Sequence, residues 1–346
     1  MNGTRPVRLL LVGDLGIHRE KPETIFSHVQ KCFGQADIVI GNSEYPLTDQ
    51  GNPWPGKREP IRRADPRIAR VLRDAGFTAV SLANNHTLDF GAEGMLHTIK
   101  VLEESGIACA GAGRNIRDAR TPAIVEKNGV RIALLSYTSV FFPGYAATSA
   151  RPGVATVGIE TRYRSTPWSL DTPGVPLEAI TIPVPAEVSA MTEDIGRARS
   201  QSDIVIVSCH WGIPIIAGHR GILSYQRELG HAAIDAGADL VLGHHPHVLQ
   251  GIEVYRGRVI VHSSSHFAFD APIVHVEPDS LLVDCEIEDG QLTQVRLRPV
   301  LFDEERSPMV VDSQTGRGVI DKLERLSSPL GTQLSRKEGV VSVVCS

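Results

Sequence analysis

The chain has 346 residues, of which 42% are hydrophobic and 22% are charged, a composition typical of a globular protein with one large or two ordinary domains. Its formal net charge of −5 argues against a general nucleic-acid-binding surface, so we expect no nucleic-acid partner. The five cysteines include no Cys-x-x-Cys pair, which argues against a zinc knuckle and a disulfide framework.

The N-terminus leads directly into an apolar run, without an apolar segment of signal-peptide length. No run approaches the length needed to span a bilayer. We therefore expect a cytoplasmic protein with no membrane segment.

Five apolar runs that each end in a polar cluster are the dominant pattern. They occupy residues 7–12, 37–40, 78–82, 203–208 and 239–242. Runs of this length predict buried parallel strands, whose carboxyl ends are where α/β sheets place their sites. The clusters supply carboxylates, amides and imidazoles, which together suit divalent cations. We therefore predict a metal site at one edge of the sheet, with a hydrogen-bonded polar cluster as the alternative.

Helical periodicity and turn residues organise the rest of the chain. Helices are predicted around residues 25–33, 65–76, 92–102, 185–200, 225–236 and 319–326. Turn signals at Asn128-Gly129, Arg256-Gly257 and residues 288–290 predict paired strands.

Several loops are candidates for substrate contact. Residues 141–176 are rich in Gly, Pro, Ser and Thr and contain a concentration of aromatic residues, so we predict a lid that binds substrate. A second loop carries arginines that can contact an anion. The candidate substrate contacts are Arg58, Arg62, Tyr145, Trp211 and His219.

The order and spacing of the polar clusters carry a family resemblance. The blocks are Gly13-Asp14, Asn42-Ser43-Glu44, Asn84-Asn85-His86, His210-Trp211-Gly212 and Gly243 to His247. Over residues 7–270 they resemble the capsule-synthesis CapA family, a branch of the calcineurin-like metallophosphoesterases. The resemblance implies an α/β fold in which two packed mixed β-sheets are flanked by helices, an αββα sandwich. We expect one such domain over residues 1–305, with an insertion at about 141–176, and a C-terminal extension over residues 306–346.

The resemblance also implies a dinuclear metal site and its ligands. The ligand positions are Asp14, Glu44, Asn85, His210, His245 and His247. They can hold one or two divalent cations, among which manganese, zinc, iron, magnesium and calcium are not distinguished. The superfamily normally has a histidine where this chain has Gly16, and His18 is either a substitute ligand or a solvated loop residue.

The expected acid–base groups lie beside the ligands. His86 matches the superfamily histidine that acts on the leaving group, and Asp89 can orient it through its other ring nitrogen. An alternative is that Asp89 caps the following helix. His266 replaces an asparagine typical of the family, which adds either a proton carrier or a hydrogen-bond donor under the site.

Three functions remain open at this point. The first is metal-assisted hydrolysis of a phosphoester or of a peptide-like or γ-glutamyl amide. The second is epimerisation of a peptide α-carbon in a ribosomal peptide pathway, with His86 and His266 as the acid–base pair and Asp89, Asp14 or Asp270 orienting them. The third is a non-catalytic, metal-stabilised component that binds an acidic polymer. The expected partner is a peptide-like or phosphorylated substrate, and the oligomeric state is left open.

Overall fold

A computed structural model describes residues 5–57, 60–214, 217–218, 221–270, 278–337 and 339–345. Its strands are β1 (Val7–Gly16), β2 (Ile38–Ser43), β3 (Ala79–Ser81), β4 (Ala108–Ala110), β5 (Ala112–Gly113), β6 (Ala123–Lys127), β7 (Val130–Thr138), β8 (Gly153–Val154), β9 (Ile159–Arg164), β10 (Glu178–Pro183), β11 (Ile204–His210), β12 (Leu240–His244), β13 (Ile252–Tyr255), β14 (Arg258–Val261), β15 (His266–Phe269), β16 (Asp279–Glu288), β17 (Gln291–Phe302), β18 (Pro308–Val310), β19 (Leu334–Lys337) and β20 (Val340–Val343). Its α-helices are α1 (Gln30–Phe33), α2 (Ile68–Ala75), α3 (Gly91–Glu104), α4 (Ile116–Ala119), α5 (Pro167–Asp171), α6 (Pro185–Arg199), α7 (Ser224–Asp235) and α8 (Arg317–Ser327).

The first sheet is organised around β1. Its strand order is β19-β20-β17-β16-β1-β2-β3-β4. Strands β1 to β4 run parallel to one another, whereas β16 is antiparallel to β1. The short strand β15 pairs with the carboxyl end of β1, where Asp14 lies opposite His266. This pairing brings two distant chemical groups to the same end of the sheet.

The second sheet has the order β13-β14-β12-β11-β7-β6. Its four central strands are parallel, and each antiparallel edge strand is joined to its neighbour by a tight turn. Asn128 and Arg256, which begin these turns, have φ values of 51° and 49°. The predicted turns at both positions are confirmed.

Alternation along the buried strands creates three packed layers of contact. One set of side chains, including Leu9, Leu11 and Leu240, packs between the two sheets. The opposite face of the first sheet packs on the segment around Phe26 and on α2, and that of the second packs on α6 and α7. Because the central strands of each sheet are buried on both faces, they are largely apolar. The α/β sandwich of two mixed sheets flanked by helices is therefore confirmed.

The local predictions held for most elements and failed for one. The observed helices α3, α6, α7 and α8 overlap the predicted ones, and α2 ends as expected at Gly76, whose φ is 108°. The helix predicted around residues 25–33 is wrong. That segment forms a 3₁₀ helix at Pro22–Phe26 and a single α-helical turn at Gln30–Phe33. Ile25, Phe26 and Phe33 are buried there without a continuous helix.

The predicted insertion at about 141–176 and the predicted C-terminal extension take different forms. Within residues 141–176, the first part packs against the domain, whereas β9 pairs only with β10 in a separate hairpin. Strands β18 and β20 of the C-terminal region pair with β17 and so extend the first sheet. Within the described ranges, no helix is long and apolar enough to cross a membrane. The cytoplasmic location stays a prediction.

Candidate metal centre

The polar clusters of both sheets meet at one end of the sandwich. Asp14 lies near the end of β1, Glu44 follows β2 and Asn85 follows β3, all in the first sheet. His210 ends β11 in the second sheet, and His245 and His247 follow β12 in the same sheet. The expectation that one sheet edge carries all the groups is therefore corrected, because the rim is shared by two sheets.

Asp14 links the two sheets directly. It is fully buried, and the Asn42 side-chain amide donates to its Oδ1 at 2.9 Å. From the other sheet, the backbone N–H of His245 donates to Oδ2 at 3.2 Å. His244 Nδ1 lies 2.9 Å from Oδ1, although its ring is not aligned for a hydrogen bond. The carboxylate is thus held at a fixed place between the sheets.

Asp14, Glu44 and His247 form the first group of donors. One potential ligand atom from each lies within 4.8 Å of the others, and all three residues are buried. His247 Nδ1 is 3.6 Å from Asp14 Oδ2, and its Nε2 is 3.5 Å from Glu44 Oε1. These separations are longer than a hydrogen bond, and two carboxylates with one imidazole can share a divalent cation.

Asn85, His210 and His245 form the second group. His210 Nε2 lies 2.9 Å from Asn85 Oδ1, and the His210 and His245 ring centroids are 4.7 Å apart. His245 and His247 are also neighbours, with centroids separated by 6.1 Å. The second group therefore adjoins the first through nearby residues of one loop.

The chemistry of this donor set fits a divalent cation. Among the described residues, Glu44 Oε2, both ring nitrogens of His245 and Nδ1 of His247 are buried without a hydrogen-bond partner. Buried polar atoms are nearly always paired, because an unsatisfied one costs about 1–3 kcal/mol. Coordinated metal would satisfy the atoms that face it.

The protonation states agree with that fit. Burial lowers the pKa of His210 well below its ordinary value and lowers the pKa of His245 to about 3. Both imidazoles are therefore neutral near pH 7 and keep a lone pair for a metal. Burial raises the pKa of Asp14, but the contact with His244 and the charge of His247 outweigh it, so the pKa falls well below its usual range.

The loop after β12 has an unusual backbone. His245 and His247 have φ values of 94° and 54°, in the left-handed region that residues other than glycine rarely adopt. Pro246 lies between them. This conformation allows two nearby imidazoles to reach the same rim from a short loop.

His86 lies beside the donors, and Asp89 fixes its ring on the side away from them. Its Nδ1 is 2.8 Å from Asp89 Oδ2, and its Nε2 is 3.8 Å from Glu44 Oε1. Asp89 is fully buried and also accepts from Tyr145 Oη at 3.1 Å and from the Lys57 ammonium. The 2.8 Å contact with the acceptor Asp89 indicates that Nδ1 carries a hydrogen, with the Lys57 ammonium 3.2 Å from the same atom, and Nε2 is turned toward Glu44. The alternative that Asp89 caps α3 is not what the structure shows, since Phe90 occupies that position without a side-chain cap.

His266 lies at the same rim but has other partners. It stacks on Phe302 with centroids 4.8 Å apart, and Ser265 Oγ is 3.3 Å from its Nδ1. Burial lowers the pKa of His266 to about 3. Asp270, one of the aspartates expected to orient it, instead pairs with Arg19 at 2.8 Å and accepts from the backbone N–H of His18. That orienting contact is therefore wrong.

The predicted substrate contacts separate into three cases. Arg58 and His219 lie outside the described residues. Arg62 is half-buried, and its backbone N–H donates to Asp89 at 2.7 Å. Tyr145 and Trp211 are fully buried, and the Trp211 indole N–H donates to the His262 carbonyl oxygen at 2.8 Å. The last two side chains offer no surface to a substrate, so those two expectations are corrected.

Two residues of the site, Lys57 and Asn42, were missed by sequence reasoning, and a third, His244, was left out of the predicted ligands. Lys57 has a fully buried side chain and donates to the Asn85 carbonyl oxygen at 2.8 Å, so it joins the loop to the site. His244 and Asn42 contact Asp14. Their places in the strand-end clusters were the available signal for these two, whereas Lys57 comes from a loop with no such pattern. His18 is exposed, so it does not replace the histidine absent at Gly16.

Comparison with known proteins places the chain in a family. The family model described as "Bacterial capsule synthesis protein PGA_cap" matches residues 8–271, which include all the donor residues described above. The chain belongs to this family. The CapA resemblance of the strand-end motifs is thereby confirmed, and with it the relation to the metallophosphoesterase-like superfamily.

Individual relatives of this capsule synthesis family cover most of the chain. The "PGA biosynthesis protein CapA" of Bacillus subtilis (strain 168) is 32% identical over 308 residues, which are 88% of this chain and 72% of that protein. The "Capsule biosynthesis protein CapA" of Bacillus anthracis is 30% identical over 97% of this chain and 77% of that protein. Among solved structures, a hypothetical protein from Thermus thermophilus aligns at a TM-score of 0.45 with 18% identity, over 88% of this chain and 99% of that one.

Proposed function

We propose that this capsule synthesis family member is a metal-dependent hydrolase that cleaves an amide bond in a γ-glutamyl or peptide-like polymer. The observation that carries the proposal is the convergence of buried, unpartnered donors from both sheets beside a histidine oriented by a buried aspartate. A purely structural polar cluster would pair its own atoms, and this one does not.

The choice of substrate rests on the family. The relatives in two Bacillus species are named as capsule or PGA biosynthesis proteins, and others are named as probable polyglutamine synthesis accessory proteins. An amide in an acidic polymer is therefore a better candidate than a phosphoester, although the superfamily supports the latter. A phosphoester remains an outcome that the assay below distinguishes.

The residues that would hold one or two divalent cations are Asp14, Glu44, Asn85, His210, His245 and His247. When bound, such a cation supplies an acidic water and polarises the bond under attack. Glu44 lies between His86 and His247, at 3.8 Å and 3.5 Å, and so stands at the centre of the donor set. Its carboxylate would be one of the groups that hold a cation there.

His86 would take up at Nε2 the proton that the attacking water releases and would then deliver it to the leaving nitrogen. Asp89 holds its Nδ1–H at 2.8 Å, which leaves Nε2 as the atom that faces the substrate side. Lys57 and Tyr145 fix Asp89 in turn, so the imidazole cannot rotate without breaking a buried network. Departure of an amine requires this proton, because an amide anion is a poor leaving group.

Epimerisation is the second candidate, and one observation favours it. The register of β1 and β15 places His266 opposite Asp14, so a second imidazole lies at the rim that also holds His86. A pair of histidines can remove a proton from one face of a carbon and return it to the other. The hydrolysis assay therefore includes a solvent-exchange measurement.

The test uses the full chain loaded separately with Mn²⁺, Zn²⁺, Fe²⁺, Mg²⁺ or Ca²⁺. Release of amine from γ-linked and α-linked glutamate oligomers is measured beside phosphate release from phosphoesters, and each reaction is run in D₂O with mass-spectrometric detection. We expect new amine with at least one metal, and a loss of about 100-fold or more in His86→Gln, as for removal of a general acid. His28→Gln, a half-exposed histidine paired with Asp303, is the matched control and should keep full activity.

The outcomes separate the three functions. Phosphate release would replace the amide by a phosphoester, and deuterium incorporation without cleavage would replace hydrolysis by epimerisation. Tight binding of the oligomer with neither reaction, unchanged in His86→Gln, would show a binding component and would refute the enzymatic proposal.

A further inference from the structure

A second polar cleft lies away from the metal centre, between the end of helix α6 and the segment at residues 116–122. Its volume is about 360 Å³, within the range of roughly 300–1,000 Å³ usual for small-ligand sites. Arg117, Arg120 and Arg197 line it, and Asp194 is its one acidic lining residue among those described. The lining therefore carries an excess of positive charge in a chain whose net charge is negative.

Both carboxylate oxygens of Asp194 already have a partner within the protein. Its Oδ2 accepts from the Tyr137 hydroxyl at 3.0 Å, and its Oδ1 pairs with the Arg197 guanidinium. The carboxylate is buried at the base of the cleft, with a side-chain exposure of 4%. One carboxylate with both oxygens engaged cannot neutralise three guanidinium groups.

Arg120 is the group left without a short contact. Its side chain is only 18% exposed, and its Nε lies 3.6 Å from Asp194 Oδ2, beyond hydrogen-bond distance. Within the described ranges, that buried Nε has no hydrogen-bond partner. An unsatisfied buried guanidinium N–H is costly, and its planar donor fork matches an anion with two oxygens.

Arg117 supplies a second, loosely held cation at the mouth of the same cleft. Its side chain is 89% exposed, and its Nε lies 3.9 Å from the carboxylate of Asp118. Asp118 Oδ2 already accepts from the Asn115 side chain at 3.1 Å. A long arginine held this loosely can close over a ligand at a small cost in free energy.

We propose that this cleft binds an oxyanion, a carboxylate or a phosphate, through Arg120 at its wall and Arg117 and Arg197 at its mouth. The anion would balance the excess positive charge of these guanidinium groups. The cleft lies against the outer face of the second sheet, and the buried cluster on that face includes Tyr137 and Ala198. None of the candidate metal donors lines the cleft. It is therefore a site separate from the proposed hydrolytic centre, and an acidic polymer long enough to reach both would be held at two points.

The test measures binding by calorimetry with two probes, inorganic phosphate and a γ-linked glutamate oligomer. The full chain is titrated as purified and again after chelation, because phosphate on a metal centre needs the metal and binding at the cleft does not. We expect saturable binding that survives chelation and weakens with added salt. Arg120→Gln should weaken it about tenfold and Arg117→Gln about threefold.

Arg70→Gln is the control, because this helix arginine is 84% exposed and pairs with a carboxylate one turn away. The exposed Arg117 keeps the test valid if the Arg120 variant does not fold. Preference for phosphate would identify a small-anion site, and preference for the oligomer a polymer site. The proposal is overturned if neither probe binds the chelated chain, or if both cleft variants bind as tightly as the Arg70 control. Neither result depends on whether the chain hydrolyses an amide.

Discussion

Two clusters among the described residues place histidines around a buried carboxylate, and they differ in how completely the protein satisfies their polar atoms. In the second cluster, Glu253 on β13 contacts Arg227 and His231 from α7 and His262 from the end of β14. The distances are 2.6 Å to Arg227, 2.8 Å to His231 and 3.0 Å to His262. Both oxygens of this carboxylate have a partner within the protein.

The two clusters differ in how many polar atoms remain unsatisfied. Among the described residues, Glu44, His244, His245 and His247 together leave six buried nitrogen or oxygen atoms without a hydrogen bond, whereas the Glu253 cluster leaves one, Nδ1 of His262. Composition alone would not separate them. The number of buried polar atoms without a hydrogen bond, rather than the presence of histidine and glutamate, therefore separates a candidate binding site from a structural network.

The electrostatics support the same distinction. Burial raises the pKa of Glu253, but its hydrogen bonds with His262 and Arg227 outweigh it and bring the pKa below its ordinary value. The carboxylate is thus stabilised as an ion by the protein itself. Glu44 Oε2, by contrast, is buried without a hydrogen-bond partner.

Removal of the Glu44 carboxylate should have the largest effect, and we expect it on metal affinity. We expect Glu44→Gln to lower metal affinity by at least about 100-fold, beyond the 10–100-fold typical of losing an outer-shell partner. Chelation should lower the melting temperature of the wild-type chain, since a metal at 100 times its Kd stabilises by about 2.7 kcal/mol. Elemental analysis and calorimetric melting check both. Equal metal content in the variant and the wild type would break the comparison between the clusters.

The matched substitution in the saturated cluster should act on stability alone. Glu253→Gln removes charge-assisted hydrogen bonds to a buried histidine and an arginine, so we expect the free energy of unfolding to fall by about 2 kcal/mol. Arg227 and His231 are partly exposed, and water limits the loss. Urea unfolding measures the change, and metal content per folded chain should stay constant. A Glu253 variant that lost its metal would contradict the structural assignment.

The last prediction concerns pH, where both regions should behave alike. Burial brings the pKa of His266 to about 3, and burial outweighs Glu253 in lowering the pKa of His262. The unfolded chain therefore binds more protons than the folded chain. The stabilisation that these neutral histidines leave in place above about pH 6.5 is lost as the pH falls from there toward the folded pKa of about 3. Removing one such histidine, in His266→Asn, should reduce proton uptake on unfolding by about one.

That uptake is obtained from urea unfolding measured between about pH 7 and about pH 4, where each proton contributes a slope of about 1.4 kcal/mol per pH unit. The variant should be less sensitive to acid than the wild type. Identical slopes for the two proteins would show that His266 titrates normally and is not buried as the structure has it.

The positions of the candidate metal donors could be anticipated because they obey a local rule. Asp14, Glu44, Asn85 and His210 each stand at or just after the carboxyl end of a buried parallel strand, and a run of apolar residues marks such a strand in any sequence. What the rule does not contain is the distribution of these strands over two sheets. That distribution depends on long-range pairing: the family resemblance implied two sheets but not which strands belong to each.

Other features depend on the path of the chain in space and had no local signal. Lys57 reaches Asp89 from a loop of irregular backbone, and the neighbouring arginines were a more obvious expectation for an anion contact. Tyr145 stands in a segment whose composition is typical of a lid, yet its ring packs against Trp54, with centroids 5.0 Å apart. Glu253 alternates with apolar residues on a short strand, a pattern equally typical of an exposed face.

The left-handed backbone at His245 and His247 implies a trade-off between folding and activity. Such a conformation costs non-glycine residues about 1–2 kcal/mol each, so glycine at either position would relax the loop and remove a ligand together. Populations of this gene propagated under selection for heat tolerance alone would be expected to drift toward glycine there. The imidazoles would persist only where natural selection acts on what the rim does.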